Sequence, residues 1–382
     1  MLFQSNKTMK IIFTGGGTGG HIFPIIAIVR ELKKVVPQET LRLFYIGPKD
    51  KFGKVLGQEG IRTFFVLSGK LRRYLDPLSL ILNVFDIFVK IPLGFLQSFI
   101  YIFFLAPDLI FSKGGYGSFP SVIAGKILGV PIFLHESDSI PGLANRILAH
   151  FATEIFVSFP NTPYFSPKKI ILVGNPVREE LLMGDKNRAK EFFKLSGEKP
   201  VILVLGGSQG AQRINDKILE VLPHLLKNFE IIHQCGEKNF ESVKTEAKAV
   251  IDEYLARFYH PYPFFNEEEL KLAYAAADFV VSRAGAGVIF ELAALGKPSI
   301  LIPLPESAQE HQTRNAYIFA KSGGTFVIEE ENFTSHFFVE RIRYFFEDPK
   351  KLEKMRNSAK EFAKPKAARV IAEYLHEFLG AK

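Results

Sequence analysis

The segment Thr14 to Pro24, TGGGTGGHIFP, combines a run of glycines with a histidine. Glycine lets backbone N–H groups approach a phosphate or sugar, and a helix beginning about Pro24 would add its positive N-terminal end. The pattern predicts an anion or polar-ligand loop. Gly15, Gly17 and Gly20 fit G-x-G-x-x-G, but the IGPKD stretch that follows offers only a weak acidic ribose reader, so the dinucleotide fingerprint is incomplete. No Lys-Ser/Thr pair follows, which excludes a Walker loop. His21 closes the loop where it could take a proton from a hydroxyl nucleophile near neutral pH. A second cluster, LHESDSIPG, places His135, Glu136 and Asp138 within four residues after another strand-like run. The plain structural alternatives are a tight turn that needs glycine for packing, a histidine capping that turn, and a helix cap by Ser137 or Asp138.

The second half repeats the theme. VILVLGGSQGAQRIND reads as strand, glycine-rich turn and helix, so Ser208 and its neighbouring amides could hold a diphosphate at a helix N-terminus. Glu291, one turn into the helix of SRAGAGVIFELAALG, could accept both ribose hydroxyls of a nucleotide; a solvated helix glutamate is the alternative. The stretch PLPESAQEHQTRNA gathers Gln309, His311, Gln312 and Asn315, side chains suited to reading sugar hydroxyls. No Asp-x-Asp occurs in the chain. Diphosphate charge is therefore expected to be met by amides, helix ends and basic side chains such as Arg178 rather than by a metal held on paired carboxylates.

The elements that must position these residues follow from periodicity. IIFTGG, LRLFYIG, TFFVL, DLIFSKGG, PIFLHES and EIFVSFP read as short buried strands alternating with 3.6-period segments. The rhythm restarts with VILVLGG and continues through FEIIHQCG, ARFYHP, DFVVSRAG, PSILIP and GTFVIEE. Two βα series with parallel sheets are expected, joined near Gly174 to Arg178. The length of 382 residues suits two or three domains, and Cys235, the single cysteine, allows neither an internal disulfide nor a cysteine metal cluster. The net charge of +8 is compatible with nucleic acid, an anionic membrane or a phosphorylated substrate. The N-terminus lacks a signal-peptide core, so a cytoplasmic location is expected. From Leu78 to Ala106, 21 of 29 residues are apolar, interrupted by Asn83, Asp86, Lys90, Pro92, Gly94 and Gln97. This predicts a pair of buried or interfacial helices rather than a membrane span, with Lys70, Arg72 and Arg73 favouring the interface. The 38 phenylalanines exceed what an ordinary core needs.

In order and spacing, TGGGTGGHIFP, FSKGGYGSFP, HESDSIPGLANR, GNPVR, GGSQGA and SRAGAGVIFELAALGKPSILIP resemble the MurG family of peptidoglycan glycosyltransferases, from Met9 to the C-terminus. The resemblance implies an α/β fold of GT-B architecture, two Rossmann-like domains with parallel sheets facing a central cleft. Residues 1–176 would form an acceptor and membrane-associating domain completed by the helix 363–382, and residues 177–362 a donor domain. The implied reaction is inverting transfer of N-acetylglucosamine from UDP-GlcNAc to the C4 hydroxyl of the muramoyl sugar of lipid I, giving lipid II. The implied partners are both substrates, an anionic membrane surface at the cytoplasmic face, where the enzyme is peripheral, and other cell-wall synthesis proteins. No cofactor, metal or nucleic acid is expected.

Carried over by motif, the resemblance gives His21 or Glu136 as the base. It gives Thr18, Gly19, Gly20, Arg178, Ser208, Phe265, Ala286, Glu291, His311 and Gln312 as donor-binding residues. Gly16, Gly17, Gly114, Gly115, Tyr116, Asp138 and Asn145 would bind the acceptor. The chain departs from the family at HESD, where many members have HEQN, and at His311, which stands where a glutamine is expected. Another GT-B enzyme with a different acceptor, a more distant NAD-binding dehydrogenase and a non-catalytic sugar-nucleotide or membrane-binding module remain the alternatives.

Overall fold

The computed structural model describes residues 8–70, 72, 76–160, 162–207 and 211–381. Two compact units divide the chain: one runs through Arg178 and resumes at Pro365, and the other is Glu179–Lys364.

The first unit is built on β1 (Met9–Thr14), β2 (Leu41–Gly47), β3 (Arg62–Phe65), β4 (Leu109–Ser112), β5 (Ile132–Glu136), β6 (Glu154–Val157) and β7 (Ile170–Leu172). Among the described residues these form one parallel sheet in the order β3-β2-β1-β4-β5-β6-β7. Its central strands are near-continuous runs of Ile, Leu and Phe because helices cover both faces, leaving no solvated side to demand alternation. The order reverses between β1 and β4, so the loops leaving their carboxyl ends part and open a crevice where α/β sheets bind ligands.

The second unit repeats the plan with β8 (Val201–Leu205), β9 (Glu230–Gln234), β10 (Tyr259–Tyr262), β11 (Phe279–Ser282), β12 (Ser299–Leu301) and β13 (Thr325–Val327). Its described strands are parallel in the order β10-β9-β8-β11-β12-β13, with the reversal between β8 and β11. Every strand expected from the apolar runs is present.

The closing helix Ala367–Gly380 packs in the first unit. Ala368, Ile371, Ala372, Leu375 and Leu379, spaced three and four apart, enter the same core as Ile22, Ile25 and Ile26 of the helix Gly19–Val35. Tyr374 and Phe378 pack edge-on against Phe133 at 5.7 and 4.8 Å, which accounts for part of the phenylalanine excess.

Two expectations are corrected. The helix after the first glycine loop begins at Gly19 rather than about Pro24. Pro24 lies in its second turn, where it withdraws the amide that would have bonded the Gly20 carbonyl. The apolar segment is one continuous helical run from Pro77 to Leu105, not a helix pair. A π turn over Asp86–Lys90 carries the chain past Pro92, an adjustment that accommodates a residue with no amide to donate.

Candidate functional site

At the first reversal, β1 delivers the loop Gly15–Thr18 and β4 delivers Lys113–Tyr116. The Thr18 carbonyl accepts the amide of His21 at 3.0 Å, and the Thr18 hydroxyl lies 2.9 Å from His21 Nδ1. The ring is thereby held with Nε2 over Gly115, where a Cβ would come within 2.9 Å of that nitrogen. Gly114 and Gly115 both have left-handed φ, +82° and +80°, and a Cβ on Gly114 would overlap Asn145. Tyr116 brings its hydroxyl beside Gly17, and Gly16 lies against Gly115. Gly16, Gly17, His21, Gly114, Gly115, Tyr116 and Asn145 thus share one crevice. Thr18, Gly19 and Gly20 form the start of the helix in this same unit. Burial, with the Lys113 charge second, pushes the half-buried His21 imidazole down to about 4, so it is neutral at pH 7.

The HESD loop leaves β5 beside this crevice. Glu136, 3% exposed, accepts the Asp138 amide at 2.9 Å and the Asn145 side-chain amide at 2.7 Å. It therefore fixes Asn145 and the Asp138 backbone. Burial first, then repulsion from Asp138, raises its carboxyl to about 7. Lys113, 2% exposed, donates to His135 Nδ1 at 2.7 Å, to Ser137 Oγ and to Asn175 Oδ1 at 3.4 Å. His135 Nε2 faces the Gly174 carbonyl at 3.1 Å, which makes Nε2 the protonated nitrogen and leaves Nδ1 to accept. Burial and then the Lys113 charge hold His135 well below the usual imidazole range. Lys113 and Asn175 carried no assigned role in the sequence. Their partners come from β4, β5 and the turn after β7, which only the sheet order brings together.

At the second reversal, Gly206 and Gly207 leave β8; Ser208 lies outside the described residues. Ala286 opens the helix Ala286–Leu295 and Glu291 follows, half-buried, its Oε2 accepting the Tyr274 hydroxyl at 2.7 Å. His311 and Gln312 begin the helix His311–Lys321, and the Gln312 side chain accepts the Leu304 amide at 3.1 Å. Just before them Gln309 and Glu310 take left-handed φ of 58° and 54°, strained for residues with a Cβ. Phe265 buries its ring against Phe193 and Tyr262, while its amide is bound by Gln234 at 3.3 Å. Arg178 groups with the first unit, its guanidinium stacked 4.1 Å over Phe23. An unanticipated ladder ties the loops of this edge: Arg213 to Glu306 at 2.7 Å and Glu330 at 2.8 Å, and Glu330 to Arg283. Among the described residues no group of three or more His, Cys, Asp or Glu side chains is placed to hold a metal.

A further surface belongs to the first unit. The helical run Pro77–Leu105 buries its small or polar residues Ser79, Asp86, Gly94 and Ser98, while Phe88 and Phe104 are 73% and 78% exposed. Gly94 rides so close to the Leu67 carbonyl that a Cβ would collide with it, and Ser98 meets Ser121 at 3.3 Å. Asp86 is paired with Arg72 at 2.8 Å and Lys90 at 2.6 Å. The run is long and apolar enough to cross a membrane by length and composition. Its polar face is nevertheless fastened to the unit, leaving an outward apolar face of the kind that marks an interaction site. Arg73 lies outside the described residues.

Residues 11–157 match the glycosyltransferase family 28 N-terminal domain, and residues 201–371 match its C-terminal domain. A UDP-N-acetylglucosamine–N-acetylmuramyl-(pentapeptide) pyrophosphoryl-undecaprenol N-acetylglucosamine transferase of Bacillus cereus (strain ATCC 10987 / NRS 248) is 38% identical over 96% of this chain and 99% of its own. The Clostridium tetani (strain Massachusetts / E88) enzyme of that name is 39% identical over 92% of this chain and 94% of its own. The crystal structure of Acinetobacter baumannii MurG shares the fold, with a TM-score of 0.72 at 24% identity over 97% of this chain and 99% of that one. With both domains matched in order and relatives aligned along nearly the whole length, the chain belongs to glycosyltransferase family 28, in the MurG group.

Proposed function

We propose that the chain transfers N-acetylglucosamine from UDP-GlcNAc to the C4 hydroxyl of the muramoyl sugar of lipid I, releasing UDP and forming lipid II. The near full-length similarity to enzymes of that name carries this reading. The first unit takes the acceptor on its glycine crevice and the second takes the donor. The acceptor oxygen attacks the anomeric carbon as the bond to the diphosphate breaks, which inverts that carbon, and the hydroxyl proton passes to His21.

His21 is favoured over Glu136 because its ring is half-buried at the crevice, whereas both Glu136 oxygens are engaged in a site only 3% exposed. An imidazole near 4 is a weak base, but the anionic diphosphate of a bound acceptor raises it toward neutrality. Glu136 acts as a positioning carboxylate for Asn145. In the second unit Glu291 reads the ribose, while Ala286, His311 and Gln312 line the sugar. The apolar face of Pro77–Leu105 seats the enzyme on the cytoplasmic face of the membrane, with its axis along the surface because its other side is fastened to the unit.

Purified protein with labelled UDP-GlcNAc and lipid I should yield labelled lipid II. Donor binding without turnover on lipid I would reject the transferase reading and favour a sugar-nucleotide-binding module.

A further inference from the structure

We infer that Lys113 is the positioning residue of the acceptor crevice, its ammonium locking the ends of β4 and β5 and the turn after β7 into one register. The inference rests on the reading that this edge binds the acceptor.

Lysine is almost never fully buried without partners, and here the three protons of one ammonium face three acceptors. His135 Nδ1 must accept because Nε2 donates to Gly174, and Asn175 Oδ1 can only accept. Ser137 donates its own proton to Asn175 Oδ1 at 3.2 Å, which leaves its oxygen to receive Lys113. A methionine of similar length would strand these acceptors in a buried site. The consequences converge on the crevice. Lys113 is followed directly by Gly114 and Gly115, which face Asn145 and His21, and Ser137 lies between Glu136 and Asp138. One cation thus sets the place of both loops.

The charged and titratable groups that face Lys113 are His21 from the glycine loop, His135 and Glu136 from β5, and Asp138 from the loop after it; Asn175 adds no charge. Burial pushes the ammonium down to about 8, with Glu136 and Asp138 opposing that shift. The locked form is therefore present at neutral pH and lost above about 8.

The test is Lys113→Met in the full chain, assayed with lipid I and UDP-GlcNAc across pH. Wild type should lose kcat/KM for lipid I above about pH 8. The variant should lose roughly 10- to 100-fold in kcat at neutral pH and keep its KM for UDP-GlcNAc within about twofold. It should also lack the limb near 8, and its acidic limb should move upward because Glu136 no longer faces the cation. Wild-type kcat in the variant, or an unchanged basic limb, would overturn the proposal. If Lys113→Met does not fold, Ser137→Ala removes one acceptor and should move the basic limb to lower pH; an unmoved limb overturns the proposal equally. Wild-type protein that binds UDP-GlcNAc but never turns over lipid I would instead refute the acceptor reading itself.

Discussion

The two switch points handle charge in opposite ways. At the first, Lys113, Glu136 and His135 are buried and meet mainly neutral hydrogen-bonding partners, so desolvation brings Lys113 and Glu136 toward neutral pH and keeps His135 uncharged. At the second, Arg213, Arg283, Glu306 and Glu330 neutralise one another in direct pairs, and those pairs staple loops together. The same doubly wound plan thus yields one edge where protons can move near pH 7 and another where charge is fixed. Glycosyl transfer needs both: a group that takes a proton from the acceptor, and a rigid frame that holds a nucleotide whose protonation does not change.

The sharpest way to break this contrast is at His21. His21→Ala should lower turnover by roughly 10²–10⁴-fold with UDP-GlcNAc affinity nearly intact, because the proposed donor site lies in the other unit. Near-normal turnover, together with complete loss in Glu136→Gln, would make the carboxylate the base and His21 a loop-shaping residue. The pH profile separates the two further. If ionised Glu136 is needed only to hold Asn145 and Asp138, wild-type kcat/KM should fall as pH drops through about 7. Glu136→Gln should keep partial activity and expose the lower His21 limb near 4.

Glu291 tests the fixed-charge edge. Glu291→Ala should weaken donor use by ~10²-fold, about 2.7 kcal/mol for a lost charged hydrogen-bond pair. A 2′-deoxyribose donor should suffer similarly in the wild type, and calorimetry showing unchanged donor affinity would remove Glu291 from the ribose.

The apolar helix offers a third contrast, since it turns a dense run of large apolar side chains outward. Replacing Phe103 and Phe104 with Ser removes two exposed rings without touching the buried face. Liposome binding should weaken by roughly tenfold or more, from the transfer energy of partly immersed aromatic side chains. Basic residues make a poorer probe than the +8 charge suggested. Arg72 holds the buried Asp86, so its loss would leave a buried carboxylate with one partner fewer and confuse instability with lost lipid contact. Undiminished binding by the double variant, on neutral and anionic vesicles alike, would detach this face from the membrane.

What could be read in advance divides along similar lines. Strands were legible because each is a local apolar run bounded by turn residues, and the glycine loops because backbone approach and left-handed φ leave a compositional mark, as at Gly114 and Gly115. Asp86 and Pro92 read as interruptions of the apolar segment, yet the π turn absorbs the proline and a buried ion pair absorbs the charge. Pro24 read as a helix start because proline favours the first turn, but here Gly19 and Gly20 precede it inside the helix. The partners of Lys113, the Arg213–Glu330–Arg283 ladder and the burial of Glu136 were not legible. Each depends on residues tens of positions apart that meet only through strand order.

The smallest expected effect sharpens the contrast most. Asn266 and Glu269 form a reciprocal cap that fixes the start of the helix Glu267–Ala276, and the buried Tyr274 on that helix donates its hydroxyl to Glu291. If the second edge works by rigid preorganisation, the carboxylate is held for the ribose before the donor arrives, and Tyr274 is part of that hold. Tyr274→Phe removes one charge-assisted hydrogen bond while conserving the ring, so its effect should be about 1–2 kcal/mol, roughly 5- to 30-fold in KM for UDP-GlcNAc, with kcat little changed. Discrimination against a deoxyribose donor should narrow in parallel, because a less constrained Glu291 gains less from the second hydroxyl. A loss confined to kcat would instead place Tyr274 in the chemical step, and the division between a proton-handling edge and a fixed-charge edge would no longer hold.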